Sequence, residues 1–280
     1  MECKIKQVCP VRFREKLSGK SQSALIDAND GSQYVVKWLN NLYGPQLVFN
    51  EALGSSLFAA FGLPVPPWTA IVIASDFIDA NPEMWFDTRS GKVKQSASLN
   101  FASLSVVQPE RTVYEVLPGS WFPRLVNREA FLGAMVLDIW MGNLEHRKAL
   151  FVENDHTLEA VFVNHAHMLG GPDGCASRHQ VLPSYLDQRV YAGLDVAQGL
   201  NSWANHLAQN GEYAVKKALA GLPQEWVTSS AEAAVDELIR SIPEVRERVC
   251  AAAASLWAPK VNWQIPLGSY GHARLVSSPS

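Results

Sequence analysis

The feature that most constrains the fold of this sequence is a change of hydrophobic pattern near residue 107. Before it, short runs rich in β-branched and aromatic residues alternate with turn formers and enclose one helical pattern, whereas helical patterns dominate after it. Because strands and helices are segregated along the chain, the pattern favours an α+β fold. The 280 residues suffice for one large domain or two small ones. We predict one two-lobed unit, with a β-rich lobe at 1–107 and a helical lobe at 108–280.

Composition and charge exclude several classes of protein. Hydrophobic residues make up 48% of the chain and charged residues 18%, which excludes disorder or a coiled coil as the dominant state. The formal net charge is −3 and no Lys/Arg-rich run occurs, so nothing indicates binding to nucleic acid or to an anionic membrane. A local site for a charged ligand is still compatible with this balance.

The cysteines and the apolar runs predict the compartment. The four cysteines, Cys3, Cys9, Cys175 and Cys250, form no CxxC pair, which argues against a zinc ribbon or a disulfide framework. No stretch approaches the roughly 18 apolar residues of a membrane span, and the first residues lack the apolar segment of a signal peptide. We therefore predict a cytoplasmic protein without a membrane anchor.

Short strands and one helix are predicted in the first part of the chain. The strands are expected at 11–17, 24–26, 33–39, 68–74 and 99–107, and the helix at 47–61. The first three strands form two hairpins around the loop 19–23 and the turn 29–32. Lys37 lies in the middle of a strand, where it faces either solvent or a cleft. Residues 76–98 are rich in turn formers and predict a variable segment.

The second part predicts a buried central helix. Residues 130–141 are apolar on nearly every side and only Asp138 interrupts them, either as a buried acid that caps a loop or as a group that does chemistry. Further elements are short strands at 151–153 and 160–163 and amphipathic helices near 184–209, 212–220 and 230–257, with Pro223 and Pro243 as breakers.

A lysine and a glutamate follow one another along the chain in the order found in enzymes that transfer phosphoryl groups. That chemistry needs a cation for the nucleotide phosphates, oxygen ligands for Mg²⁺ and an acid that orients the acceptor hydroxyl. In kinases a strand Lys is followed by a helix Glu that positions it. Lys37 and Glu51 follow this order. Each alone is more often a solvated lysine or a glutamate favoured by the helix dipole, so it is their order that indicates the function.

Five segments in the same order resemble the HipA-like kinases, bacterial relatives of the protein kinase and phosphoinositide kinase fold. They are YVVKW at 34–38, NEALG at 50–54, GLPVP at 62–66, DIWMGN at 138–143 and NHAHMLGGP at 164–172. The resemblance implies a bilobal protein-kinase-like fold that binds ATP and Mg²⁺ between its lobes. It also implies phosphorylation of a hydroxyl on a protein or on another acceptor, and so a protein substrate or partner.

The resemblance assigns roles to residues on the nucleotide side of the cleft. Lys37 corresponds to the phosphate-holding lysine and Glu51 to its ion-pair partner. Ser21 and Ser23 lie in the loop that takes the place of the phosphate-covering loop.

The resemblance also marks departures on the catalytic side. Asp138 and Asn143 match the family pattern D-x₄-N-x-D-R, but Glu145 stands where the catalytic Asp is expected, and Lys148 or Leu150 stands where an amide ligand is expected. Glu145 keeps the charge on a side chain about one methylene longer. A lysine at 148 can neutralise phosphate charge, although it cannot ligate Mg²⁺ while protonated.

The second departure concerns the metal. Asn164 occupies the position of the metal-binding Asp, so Asn164 and Asn143 are the expected ligands of Mg²⁺, and an amide oxygen contributes no charge. The sequence therefore leaves two functions open, namely an ATP-dependent HipA-like kinase or a pseudokinase that acts as a nucleotide-binding or regulatory module. His165 and His167 alternate on a strand with no third His or acid nearby, which argues against a zinc site. No P-loop, GxGxxG or GxSxG motif occurs.

Overall fold

The computed structural model describes residues 7–171, 184–256 and 274–275, so Cys3 and Cys175 lie outside the described residues. The strands are β1 (Gln7–Val8), β2 (Pro10–Lys16), β3 (Ala24–Ala28), β4 (Gln33–Lys37), β5 (Trp68–Ile73), β6 (Trp85–Thr88), β7 (Gly91–Lys94), β8 (Ser98–Leu104), β9 (Val113–Val116), β10 (Lys148–Asn154), β11 (Thr157–Val163) and β12 (Arg274–Leu275). The α-helices are α1 (Gln46–Ala60), α2 (Ser75–Ala80), α3 (Ala130–Trp140), α4 (Val196–Ala220), α5 (Ser229–Arg240) and α6 (Val245–Leu256).

A curled sheet of six strands forms the N-terminal part. Its strand order is β1-β5-β8-β4-β3-β2, and β2, β3 and β4 are successive antiparallel neighbours, which confirms the two predicted hairpins. Strand β8 returns between β4 and β5, with Lys37 opposite Phe101. This register brings the end of β4, and with it Lys37, to the middle of the sheet.

Helix α1 connects this sheet to the rest of the molecule. It begins after Pro45 and ends at Ala60, Phe61 caps its C-terminus, and Gly62 then adopts a φ of +74° that L side chains rarely adopt. Most of α1 is buried, because it packs against β8 of the sheet and against α4. Its apolar residues belong to the same hydrophobic core as the side chains of α3.

The segment 76–98, predicted only as variable and rich in turn formers, contains regular elements that the sequence pattern did not resolve. It forms the short helix α2 and the hairpin of β6 and β7. Ile78, Met84 and Phe86 are buried there in a second cluster with Val36 and Ile71 of the large sheet. The sequence pattern does not reveal these three buried side chains because most residues around them are turn formers. In addition, only alternate side chains of a hairpin strand face the same side.

The C-terminal part is largely helical, as the pattern predicts, but it also contains a small sheet. Its strand order is β11-β10-β9-β12, and the sequence pattern missed β9 because only Val113 and Tyr114 of its four residues are buried. Helix α3 is buried along most of its length, as predicted for a central helix. In the described part of the chain, no helix combines the length and apolar character needed to cross a bilayer.

The long helix α4 corrects the helices predicted near 184–209 and 212–220. It is one helix that begins at Val196, after Asp195 accepts a hydrogen bond from the Gln198 amide at its N-terminus. Gly211 does not break it, because the glycine is buried against Ile242. Packing thus outweighs the low helix propensity of glycine at this position.

Candidate functional site

A cleft of about 420 Å³ lies where the large sheet meets the β10–β11 hairpin. Its walls include apolar side chains from both sides, Val35, Phe101 and Leu104 from the sheet and Leu150 and Val163 from the hairpin. The loop at 17–23 also lines it. An apolar slot closed by a polar loop has the general character of a small-molecule site.

Lys37 and Glu51 form a buried ion pair on the cleft wall. The exposed fractions of their side chains are only 9% and 3%, and Lys37 Nζ donates to Glu51 Oε1. Lys37 Nζ also donates to Asn164 Oδ1 at 3.1 Å. The structure therefore brings together three residues that the sequence singled out, although Asn164 is 127 positions away from Lys37.

Helix α1 is attached to residues 164–168 by buried hydrogen bonds. Asn50 Nδ2 donates to the carbonyls of Ala166 at 2.9 Å and Met168 at 2.7 Å. The Ala166 amide donates to Glu51 Oε1 at 2.9 Å. Asn50 was not assigned a role from the sequence, and its only signal is a polar residue next to Glu51 in an otherwise apolar run. These bonds fix Glu51, and through it Lys37.

Asn164 lies between a cation and a carboxylate. While its Oδ1 accepts from Lys37, its Nδ2 donates to Glu145 Oε2 at 3.3 Å. The other oxygen of Glu145 lies 3.3 Å from His167 Nε2. Burial lowers the pKa of His167, against the opposing effect of Glu145. His167 is a second residue of the cleft that the sequence did not place.

The predicted catalytic Asp138 and metal ligand Asn143 do not line the cleft. Asp138 is fully buried, and it pairs with Arg147 through both carboxylate oxygens. Asn143 Nδ2 donates to Asp138 Oδ1 at 3.1 Å, and Asn143 Oδ1 accepts from the Glu145 amide at 3.2 Å. Burial raises the pKa of Asp138, while Arg147 and Asn143 oppose this shift. Both predicted residues thus support the loop that carries Glu145.

Arg147 also connects this buried cluster to the cleft. Besides pairing with Asp138, its Nη1 donates to the carbonyls of Val163 at 3.0 Å and Asn164 at 3.1 Å. Arg147 therefore fixes the backbone at Asn164, which has a φ of +65°. A left-handed backbone at a non-glycine residue is uncommon and is most tolerable for asparagine.

The described residues do not fit Mg²⁺. This cation prefers anionic oxygen in near-octahedral geometry. Asn164 Oδ1 already accepts from Lys37 and Asn143 Oδ1 from the Glu145 amide. Within the described part of the chain, no group of three or more His, Cys, Asp or Glu residues is arranged to hold a metal ion. The amides expected to ligate Mg²⁺ are used to organise the cleft itself.

The loop at 19–23 carries the two predicted serines to the cleft. Ser21 and Ser23 both line it, with their hydroxyl oxygens 3.1 Å apart. Asn41 Nδ2 donates to the Ser21 carbonyl at 2.7 Å. Gln22 between them has a φ of +47° and exchanges two hydrogen bonds with the backbone of Asp87 in β6, at 2.8 Å and 2.7 Å. The β6–β7 hairpin thus holds the loop from outside.

Gln22→Ala is expected to loosen this loop without unfolding the protein. Each lost hydrogen bond contributes about 0.5–1.5 kcal/mol, so amide exchange in the loop should accelerate roughly tenfold. Hydrogen exchange measured by mass spectrometry checks this, with Gln198→Ala on α4 as the control. Unchanged exchange at 19–23 would contradict the proposed support by the hairpin.

Buried His165 predicts a pH dependence of stability. Its ring nitrogens have no hydrogen-bond partner among the described residues, and burial together with Arg147 and Lys37 holds its pKa well below the usual range. The unfolded chain regains the ordinary pKa near 6.5 and binds a proton that the folded state does not. Stability is therefore complete above pH 6.5 and falls below it, by up to about 1.4 kcal/mol per pH unit.

Chemical denaturation between pH 5 and 7.5 measures this dependence. His165→Leu is expected to remove about one proton from the slope below pH 6.5. Phe58→Leu is the control, because Phe58 packs on the His165 ring at 4.6 Å between centroids and carries no titrating group. An equal slope in both variants and the parent protein would show that His165 is not the group responsible.

Comparison with solved structures identifies the fold. The crystal structure of the Golgi casein kinase matches with a TM-score of 0.50 and 10% sequence identity, over 90% of this chain and 74% of that chain. The chain has a protein-kinase-like fold. The same kinase with Mn/ADP bound matches with a TM-score of 0.48 and 11% identity, over 90% and 74% of the two chains. Hydra Fam20 with sugar matches with a TM-score of 0.49 and 11% identity, over 89% and 86%.

Sequence comparison adds no closer relationship. No protein-family model matches the chain, and no curated protein matches it. The similarity to the solved structures lies in the fold: a curled sheet in the N-terminal part and helices in the C-terminal part. The predicted α+β kinase-like fold is thereby confirmed, while the narrower HipA-like assignment and the roles of individual site residues stay predictions.

Proposed function

We propose that this chain is a kinase-like protein that binds a nucleotide of the ATP class in the cleft and transfers its phosphoryl group slowly or not at all. The observation that carries the proposal is the placement of Lys37. Its ammonium lies on the cleft wall, where a buried bond to Glu51 and a partly buried bond to Asn164 hold it. An ammonium held in position in this way suits a phosphate group.

The rest of the cleft supports a ligand with an apolar and an anionic end. The apolar walls formed by Val35, Phe101 and Leu104 suit the flat face of a base. Ser21 and Ser23, with the backbone of their loop, supply polar groups where phosphates would lie near Lys37. Four further parts of the proposal rest on the sequence. They are the division into two lobes between residues 107 and 108, membership of the HipA-like family, a protein acceptor and a cytoplasmic location.

The catalytic side supports slow transfer. Glu145 is on the cleft wall and its carboxylate can accept a hydrogen bond from an acceptor hydroxyl. Asp138 acts through Arg147 as a positioning residue, since it is buried away from the cleft wall. Asn143 likewise positions Glu145 through the Glu145 amide. The Glu145 side chain is about one methylene longer than that of the expected aspartate. A displacement of about 1 Å of a group that contacts the reacting atoms can lower the rate about 10²-fold.

Nucleotide binding is tested by calorimetry and thermal shift with ATP, ADP and adenosine. ATP at 100 times its Kd should stabilise the protein by about 2.7 kcal/mol. Lys37→Met is expected to weaken ATP binding at least tenfold, which corresponds to about 1.4 kcal/mol. Lys217→Met, on the exposed face of α4, is the matched control. If millimolar ATP neither binds nor stabilises the parent protein, the proposed function is wrong.

An active kinase is the second candidate, and one observation favours it. A second cavity of about 540 Å³ adjoins the cleft, and Glu145 and Lys148 line both. Glu145 is thus placed where an acceptor hydroxyl in the second cavity would meet a nucleotide in the first. Transfer of labelled phosphate from ATP, lost in Glu145→Gln, would favour this candidate. A gain of activity in the double variant Glu145→Asp with Asn164→Asp would show that the residues at positions 145 and 164 limit the rate of transfer.

A further inference from the structure

The charges on the cleft wall are unusual for a site that receives a polyanion together with a divalent cation. Its described lining contains three lysines, Lys20, Lys37 and Lys148, but only two carboxylates, Glu51 and Glu145. Glu51 is neutralised by its ion pair with Lys37. Lys20 and Lys148 are exposed, so their ammonium groups are available to a ligand. The described wall therefore carries a positive excess before any ligand binds.

The carboxylate that is not paired with a lysine, Glu145, already contacts two side-chain nitrogen atoms. Glu145 Oε2 accepts from Asn164 Nδ2, and Glu145 Oε1 lies 3.3 Å from His167 Nε2. A divalent cation would have to displace both nitrogens to reach these oxygens. Both contacts compete with coordination of a cation by the same two oxygens.

The orientation of the Asn164 amide follows from the charges on its two sides. The oxygen faces the Lys37 ammonium and the nitrogen faces the Glu145 carboxylate. Rotating the amide by half a turn would direct its N–H groups at the ammonium and its oxygen at the carboxylate, and both contacts would be repulsive. The amide thus lies between the Lys37 ammonium and the Glu145 carboxylate and contacts both.

From these contacts we infer that the cleft binds its nucleotide as the metal-free polyanion, with Lys20 and Lys148 supplying the positive charge that a divalent cation supplies elsewhere. The inference rests on the proposed function and adds the form in which the ligand binds. It also assigns Asn164 as the residue that excludes the metal. An aspartate at this position would place two carboxylates near each other beside the phosphates, which is a site of the type that Mg²⁺ occupies.

The first test compares ATP binding to the parent protein in EDTA and in excess MgCl₂. We expect the Kd in EDTA to be equal to that in MgCl₂ or lower. A Kd at least about tenfold higher in EDTA, which corresponds to about 1.4 kcal/mol, would overturn the inference while leaving nucleotide binding intact. Absence of binding in both buffers would overturn the proposed function together with the inference.

Asn164→Asp provides a second test that does not depend on activity. The variant should bind ATP about tenfold more weakly in EDTA, because the new carboxylate repels phosphate, and should recover in MgCl₂. It should also bind Mn²⁺ alone, as measured by water-proton relaxation, whereas the parent protein should not. Asn154→Asp, which adds the same charge at the exposed end of β10, is the control. Tight Mn²⁺ binding by the parent protein would contradict the role of Asn164.

Discussion

Replacing Arg147 with alanine should destabilise the protein by about 3–5 kcal/mol, because it leaves the Asp138 carboxylate buried without its partner. Arg147 and Asp138 have side-chain exposures of 1% and 0%, so water cannot replace the lost contacts without local opening. The carbonyls of Val163 and Asn164 lose a donor as well. Urea denaturation of the variant and the parent protein measures the difference.

Two further variants identify the origin of this loss. Arg124→Ala is the matched control, since Arg124 pairs with Glu153 at 2.5 Å but its side chain is 30% exposed. This substitution should lower the free energy of unfolding by no more than about 1 kcal/mol. The double variant Asp138→Leu with Arg147→Met should lose less than the two single variants together, because no charge is then left unpaired. Strict additivity would show that the ion pair is not what stabilises this region.

Asn50→Ala should destabilise the protein by about 2–3 kcal/mol and also weaken nucleotide binding. The substitution leaves the Ala166 carbonyl without its Asn50 donor in a buried environment and creates a small cavity. Because Glu51 is held by the same segment of the chain, Lys37 should become less well fixed. Thermal and chemical denaturation, followed by ATP titration, measure both effects.

The neighbouring Gln46 offers a control for this prediction. Gln46 Nε2 donates to Asn50 Oδ1 at 2.8 Å, so Gln46→Ala removes a single partly exposed bond of Asn50 and leaves both of its donated bonds intact. It should cost less than about 1 kcal/mol. Equal losses in Gln46→Ala and Asn50→Ala would mean that the bonds to residues 164–168 contribute little.

The sequence predicts the kinase-like fold and part of the site because those features have local patterns. Lys37 on a strand, Glu51 on the following helix and the apolar helix α3 are each visible in a short window. Arg147 is not, because its neighbours 145–148 form a charged run that is typical of an exposed loop. Its burial depends on the chain turning back after α3, which places Arg147 beside Asp138 nine positions away.

The other features that the sequence did not predict also depend on contacts between residues that are distant in sequence. Strand β9 is too short to show a period of its own and is defined by pairing with β10. The single helix α4 is continuous across Gly211 because tertiary packing against Ile242 compensates for the glycine. The orientation of Asn164 depends on Lys37 and Glu145, which approach it from different elements. Such relations exist only after folding.

The position of α1 inside the main core has a consequence for cooperativity. Its apolar side chains share one core with α3, and Trp226, which follows α4, donates from its indole to the Leu99 carbonyl in β8 at 3.1 Å. Separating the sheet from the helices would expose both contacts to water, so the two parts should melt in a single transition. A ligand that touches only the cleft should then raise the melting temperature measured at either end of the molecule equally.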